Sequence, residues 1–172
     1  TGEKDVVTDL AKGDVIVDNG ASSFVPLTHY LISNQVPALL QDMGHEMVVH
    51  TVITGSQALL DTVSGFAQLA SQFPAECLFV VWLNPFWGSI EHEGKNFEQM
   101  KAYTANKARV SAIVTIPTLK EDTYGRDLSD MLQERLTFDE ALAMDSLTIM
   151  TRQRLKIVKA QLFSQLDSAA VL

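Results

Sequence analysis

Four segments of this chain place chemically useful residues where an apolar run stops: Asp18-Asn19-Gly20-Ala21-Ser22-Ser23, Thr54-Gly55-Ser56, Asn84-Pro85 and Ile116-Pro117. In open α/β sheets ligands lie beyond the carboxyl ends of the strands, so these four ends are the natural candidates for a site. An acid such as Asp18, delivered by a strand and followed by small residues, can hold the water shell of a Mg²⁺ ion beside a nucleotide phosphate. The same residues also suit an ordinary turn, with Asp18 and Asn19 satisfying backbone and Ser22 or Ser23 capping the next helix; local pattern alone favours the turn. Thr54-Gly55-Ser56 can offer backbone N–H groups to an anion or simply start a helix. Asn84, stiffened by the following Pro85, suits hydrogen bonding to a base edge, and equally a turn. Pro117 can wall a flat ring or only end a strand.

Other candidates are less specific. Phe86 and Trp87, beside Gly88, form either a binding lip for a partner or packing over a sheet edge. The four histidines, at positions 29, 45, 50 and 92, show no metal-ligand spacing, and Glu91-His92-Glu93 reads as a solvated loop. Ser22 and Ser23 lack the flanking glycines of a nucleophile elbow. Arg152, Arg154, Lys156 and Lys159 make a basic stripe beside apolar Leu155, Val158, Leu162 and Leu166. Such stripes are usually only solvated, although this one, led by Arg152 and Lys156, could meet an acidic partner or DNA.

These residues require a scaffold of alternating strands and helices. The runs Asp14 to Asp18, Met47 to Ile53, Leu78 to Leu83 and Ala112 to Ile116 are rich in β-branched residues and do not alternate with polar ones, as expected of parallel strands covered on both faces. Helical spacing appears over Leu27 to Met43, interrupted by Pro37, over Ser56 to Phe73, and over Phe97 to Lys107. Right-handed crossovers then give a doubly wound, mostly parallel sheet of about four strands. From residue 118 to 172 the pattern is mainly helical, over Leu128 to Leu136, Phe138 to Ala143 and Leu147 to Leu166, which predicts a helical cover. No repeat, low-complexity tract or linker divides the chain, so residues 1–172 are expected to form a single α/β domain.

Composition excludes several classes. The 172 residues are 47% hydrophobic and 20% charged, ordinary globular usage. With 21 acidic residues against 13 basic ones the net charge is −8, which opposes general attraction to nucleic acid and leaves only local contact. Cys77 is alone, so no disulfide shapes the fold, and a reducing compartment, the cytoplasm, is expected. No run approaches the ~18 apolar residues of a membrane span, and the start Thr-Gly-Glu-Lys-Asp has no signal-peptide character. Because that start has no Met and comes only a short polar stretch before the first apolar run, the expectation is a chain processed or cut from something longer.

The order of hydrophobic-Asp18-Asn-Gly, Thr54-Gly-Ser, Val-Val-Trp-Leu-Asn84-Pro and Thr-Ile-Pro117 resembles the second half of a ParA/MinD-type P-loop ATPase. Within that superfamily the text from about Asp14 to the C-terminus is similar to the TraL-like conjugal transfer proteins, notably DVIVDNGASSFVPLTHYLISNQVPALLQDMGHE, VSGFAQLASQFPAE and SDMLQERLTFDEALA. The resemblance implies a partial P-loop NTPase fold, with ATP and Mg²⁺ as cofactors of intact members. It makes Asp18 the Walker B-like acid that organises Mg²⁺ through water, Asn84 the base contact, and Pro117 the neighbour of the adenine ring. Two departures stand out. Asp18 is followed by Asn-Gly rather than Thr-Pro-Pro, and no Gly-x-x-x-x-Gly-Lys-Ser/Thr loop occurs anywhere in the chain. Without that loop's N–H groups and lysine, tight ATP binding by these residues is not expected, and ATPase ancestry does not by itself make the chain an enzyme.

The family's central strand is missing with the loop. Either the runs 14–18 and 47–53 pair directly, or the sheet keeps unpaired edges that invite self-association. The leading functional expectation is a cytoplasmic component of plasmid conjugative transfer, working with conjugation proteins or with its own copies, and with an incomplete nucleotide site. The alternative is a non-catalytic interaction domain that uses Phe86 and Trp87 or the C-terminal basic helix.

Overall fold

The computed structural model describes residues 15–20, 23–119 and 121–169. Its centre is a parallel sheet of three strands, β1 (Val48–Thr54), β2 (Leu78–Asn84) and β5 (Val110–Thr115), in the order β1-β2-β5. β1 and β2 run in register from Val48 opposite Leu78 to Thr54 opposite Asn84. Helix α3 (Leu59–Gln72) returns the chain from β1 to β2, and α4 (Lys101–Asn106) precedes β5. These are the βαβ crossovers that the alternation of apolar runs and amphipathic segments demands.

The strand expected over 14–18 does not form. Asp14 lies outside the described residues, and residues 15–18 have no ladder partner among the described residues, with Val15, Ile16 and Val17 exposed by 39%, 89% and 61%. A β-branched run becomes a strand only when a neighbour takes its N–H and C=O groups. Among the described residues the sheet accordingly has three parallel strands instead of four, and the run 15–18 does not pair with β1. Helix 27–43 is also two helices, α1 (Phe24–Ser33) and α2 (Val36–Asp42). The break falls at Asn34-Gln35, where Gln35 is left-handed (φ 51°), and Pro37 opens the second helix, where its missing N–H costs nothing.

Residues 91–96 form a small exposed hairpin rather than a loop, with β3 (Glu91–His92) antiparallel to β4 (Lys95–Asn96). Its turn is Glu93-Gly94, both at positive φ. The expected helical cover is present as α5 (Arg126–Gln133), α6 (Phe138–Ala143) and α7 (Ile149–Ala169). None of the helices of the described residues is long and apolar enough to cross a membrane.

One face of the sheet carries the main core. Ile53, Phe79 and Val81 point into it against Val63, Phe66 and Leu69 of α3 and Tyr103 of α4. Phe66 meets Phe79 edge-on at 6.1 Å and Phe97 at 5.7 Å between ring centroids, geometries that add to the burial of each ring. Helix α7 packs against β5. Val80 and Val114, which point away from the main core, and Val158 of α7 are fully buried. A second cluster joins Met131, Ala141 and Leu155, holding α5, α6 and α7 together.

Candidate functional site

The carboxyl ends of β1, β2 and β5 are tied into one edge by backbone hydrogen bonds. Gly55 N–H donates to the Asn84 carbonyl (3.2 Å), and Ile116 N–H donates to the Leu83 carbonyl (2.9 Å). Three of the four candidate segments therefore meet, with Asn84 in the middle strand between Gly55 and Ile116-Pro117. Asp18 does not join them within the chain; it sits in the exposed stretch before α1.

Around Gly55 the backbone is crowded. A Cβ there would lie 2.0 Å from the carbonyl oxygen of Gly88, so the close approach of the two loops requires glycine. Gly88 itself adopts φ 141°, and Ser56 is left-handed at φ 63°. Between these loops opens a cleft of about 440 Å³, lined by Ser56, Gln57, Leu60, Ser89, Glu91 and His92.

Asn84 ends β2 with its side-chain Oδ1 accepting from Phe86 N–H (3.1 Å). This bond caps the short 3₁₀ turn Pro85–Trp87 and fixes where the next two side chains go. Phe86 and Trp87 stand out of that turn, 68% and 67% exposed, their rings edge to face at 4.7 Å. They form a lip at the strand ends and do not pack over the sheet edge. Pro117 borders a shallow, open depression of about 680 Å³ shared with Thr115, Gln161, Ser164 and Gln165.

The basic stripe of α7 is mostly committed inside the protein. Arg152 donates to the Met144 carbonyl (2.8 Å), Arg154 pairs with Asp127 of α5, and Lys159 pairs with Asp139 of α6 (2.6 Å). Asp127 accordingly raises the pKa of Arg154 further. Only Lys156 of the four is exposed and takes part in no hydrogen bond or ion pair among the described residues. Cys77 is buried, and burial pushes its thiol pKa up, away from nucleophilic use.

Two polar devices escaped the sequence reading. Arg109, just before β5, donates to the carbonyls of Ala70 (2.6 Å), Phe73 (3.1 Å), Pro74 and Cys77 (3.0 Å), while lying over the Phe79 ring at 5.2 Å. It collects the carbonyls that end α3, where a cation is favoured. On the other face of the sheet, Trp82 Nε1–H donates to His50 Nδ1 (2.9 Å). Partial burial holds the imidazole pKa below its ordinary 6.5, which favours the neutral acceptor form.

This edge suits a flat ring or base better than a triphosphate. Asn84 offers amide chemistry and Phe86, Trp87 and Pro117 offer flat apolar surfaces, but among the described residues no glycine-rich loop or lysine stands there for phosphates. Among the described residues no group of three or more His, Cys, Asp or Glu gathers as a metal site.

Two curated Escherichia coli proteins, both named Protein TraL, are each 83% identical to this chain, over 162 and 161 residues. The chain belongs to the TraL family. In each case the alignment takes in 94% of this chain and 67% of the relative. The 3₁₀ turn of Phe86 and Trp87 and the Gly55–Gly88 contact are thus features of a TraL-family chain. No family model matches it. No solved structure matches it either.

Proposed function

We propose that this TraL-family chain serves plasmid conjugative transfer in the bacterial cytoplasm, and that it descends from ParA/MinD-type ATPases with a nucleotide site left incomplete in these residues. The observation that carries the transfer role is the 83% identity to TraL proteins along 94% of the chain. The nucleotide part draws support from Asn84 and Pro117 at adjacent strand ends, where a base could lie across the sheet edge with the Phe86/Trp87 lip beside it. Asp18 would organise Mg²⁺ through water only if the stretch 15–18 were drawn to the same edge. The phosphate contacts would have to come from outside these residues.

A second reading is favoured by the exposed aromatic pair: a non-catalytic domain whose Phe86 and Trp87 engage another conjugation protein. Conjugation frequency separates the two. A conjugative plasmid deleted for its TraL gene is supplied with TraL protein carrying these residues, either unchanged, as Asn84→Asp, or as Phe86→Ser with Trp87→Ser. Asn84→Asp keeps the oxygen that caps Phe86 N–H and removes the amide donor. The nucleotide reading expects it to reduce transfer; normal transfer by Asn84→Asp with loss in the aromatic variant selects the interaction domain. Full transfer without any TraL protein contradicts both.

A further inference from the structure

Gly55 touches both ends of the turn that carries Phe86 and Trp87. Its N–H donates to the carbonyl of Asn84, the residue before the turn (3.2 Å), while its α-carbon lies against the carbonyl of Gly88, the residue after it. A Cβ at Gly55 would stand 2.0 Å from that oxygen, 2.7 Å from its carbon and 3.0 Å from the carbonyl oxygen of Ser89. All three are backbone atoms, so no side-chain rotation could make room. The segment 84–88 is closed on itself by Gly88 N–H, which donates to the Pro85 carbonyl (3.1 Å), and by the Asn84 cap on Phe86 N–H. A displacement of Gly88 is therefore passed on to the two aromatic side chains held between these anchors.

Gly55 is fixed in turn to rigid elements. It follows Thr54, which stands opposite Asn84 in the β1–β2 register and whose N–H donates to the Thr62 hydroxyl of α3 (3.2 Å). That hydroxyl shares its own proton between the carbonyls of Ala58 and Leu59 at the start of the same helix (2.9 and 3.0 Å). From the other loop, Gly88 at φ 141° could carry a side chain only with strain, and its Cβ would meet Ser56 Cβ at 3.3 Å. The segment Thr54-Gly55-Ser56 thus has a use besides anion contact or the start of a helix.

We propose that Gly55 is the positioning residue of the Phe86/Trp87 lip, holding the turn Pro85–Trp87 at both ends so that the two rings keep one place at the strand ends. The inference rests on the lip having a role in transfer, which both readings above give it. Every atom of this clasp belongs to β1, β2 or the segments that directly follow them.

Fluorine NMR on the 172-residue chain labelled with fluorotryptophan reads the lip directly, because the chain holds two tryptophans, Trp82 within β2 and Trp87 in the turn. Trp82→Phe assigns the two signals. Gly55→Ala, shown by circular dichroism to be folded, should shift the Trp87 resonance and leave that of Trp82 in place. Gly65→Ala, where an added Cβ meets nothing within 4 Å, should shift neither. In the conjugation assay above, Gly55→Ala should lower transfer about tenfold, the scale expected when the anchors of a contact are displaced. It should add no further loss to Phe86→Ser with Trp87→Ser, since it acts through those rings. If Gly55→Ala does not fold, Gly88→Ala, which strains the same contact from the other loop, is held to the same outcomes. An unmoved Trp87 resonance overturns the proposal, as do equal shifts of both tryptophans. So does normal transfer by Gly55→Ala where the aromatic variant loses it, or a further loss in the combined variant. Normal transfer by the aromatic variant overturns instead the role of the lip; the Trp87 resonance then decides the positioning by itself, a shift supporting it and no shift refuting it.

Discussion

The two faces of the sheet are built differently. On the α3 face, Phe66, Phe79, Phe73 and Phe97 interlock edge to face over fully buried Ile53 and Val81. On the other face α7 seals Val80 and Val114 near β5, but towards β1 the covering ends at His50, Trp82 and half-exposed Val52. A parallel sheet is normally buried on both sides. The contrast teaches that stability is concentrated in the α3 face, while the β1 side and the strand ends carry little of the buried core among the described residues.

The sharpest way to break this contrast is to empty the α3 face. Phe66→Ala removes a completely buried ring that touches two others and should cost about 3–5 kcal/mol in urea unfolding. If Trp82→Ala cost as much, the two faces would be equivalent and the contrast would fail. Next comes Arg109→Met, which keeps the stem over Phe79 but releases four carbonyls; a loss of about 2–3 kcal/mol is expected, measured in the same way.

Away from the sheet, Thr137→Ala opens the capping box of α6, in which Thr137 Oγ1 accepts from Glu140 N–H and Glu140 returns bonds to Thr137. Its cost should be about 1 kcal/mol. The bonds that the Glu140 carboxylate accepts from Thr137 N–H and Oγ1–H lower its pKa, so their share is present above the ordinary carboxylate value of 4.5 and is lost as pH falls through the folded value. Thermal melts of Thr137→Ala and the unchanged chain should therefore draw closer at acid pH without meeting, because the variant keeps the backbone N–H bond from position 137 to the carboxylate and lacks the Glu140 N–H bond to Oγ1 at every pH.

The smallest effect belongs to the uncovered face. His50→Ala should cost only about 0.5–1.5 kcal/mol, since the Trp82 donor is left half-buried. Because folding lowers the His50 pKa, the unfolded chain binds the proton more readily. Stability from this pair is complete above pH 6.5 and declines as pH falls through the folded value. His50→Ala should remove that step from the pH dependence of melting; a step that persists would assign it to another group.

Much of this was legible in the sequence. The runs ending at Thr54, Asn84 and Ile116 became strands because each has a neighbour supplied by the next crossover, and their ends converged as parallel topology requires. The run at 15–18 looks the same locally and fails for a non-local reason: among the described residues no neighbour takes its hydrogen bonds. Arg109 carried no local mark, since its carbonyl partners lie 32 to 39 residues earlier. The cations of α7 read as a free stripe because Asp127 and Asp139, which hold two of them, sit on other helices. Asn84 was placed correctly at its strand end, and only the structure revealed that it also aims Phe86 and Trp87.

Calorimetric titration of Mg²⁺-ATP tests the central claim most directly, run on this chain and on a full-length TraL relative. The account predicts measurable binding to the full-length protein, weakened by Asn84→Asp, and no tight binding to the 172-residue chain. Binding to neither would contradict the nucleotide reading, and tight binding to this chain would contradict the claim that its site is incomplete.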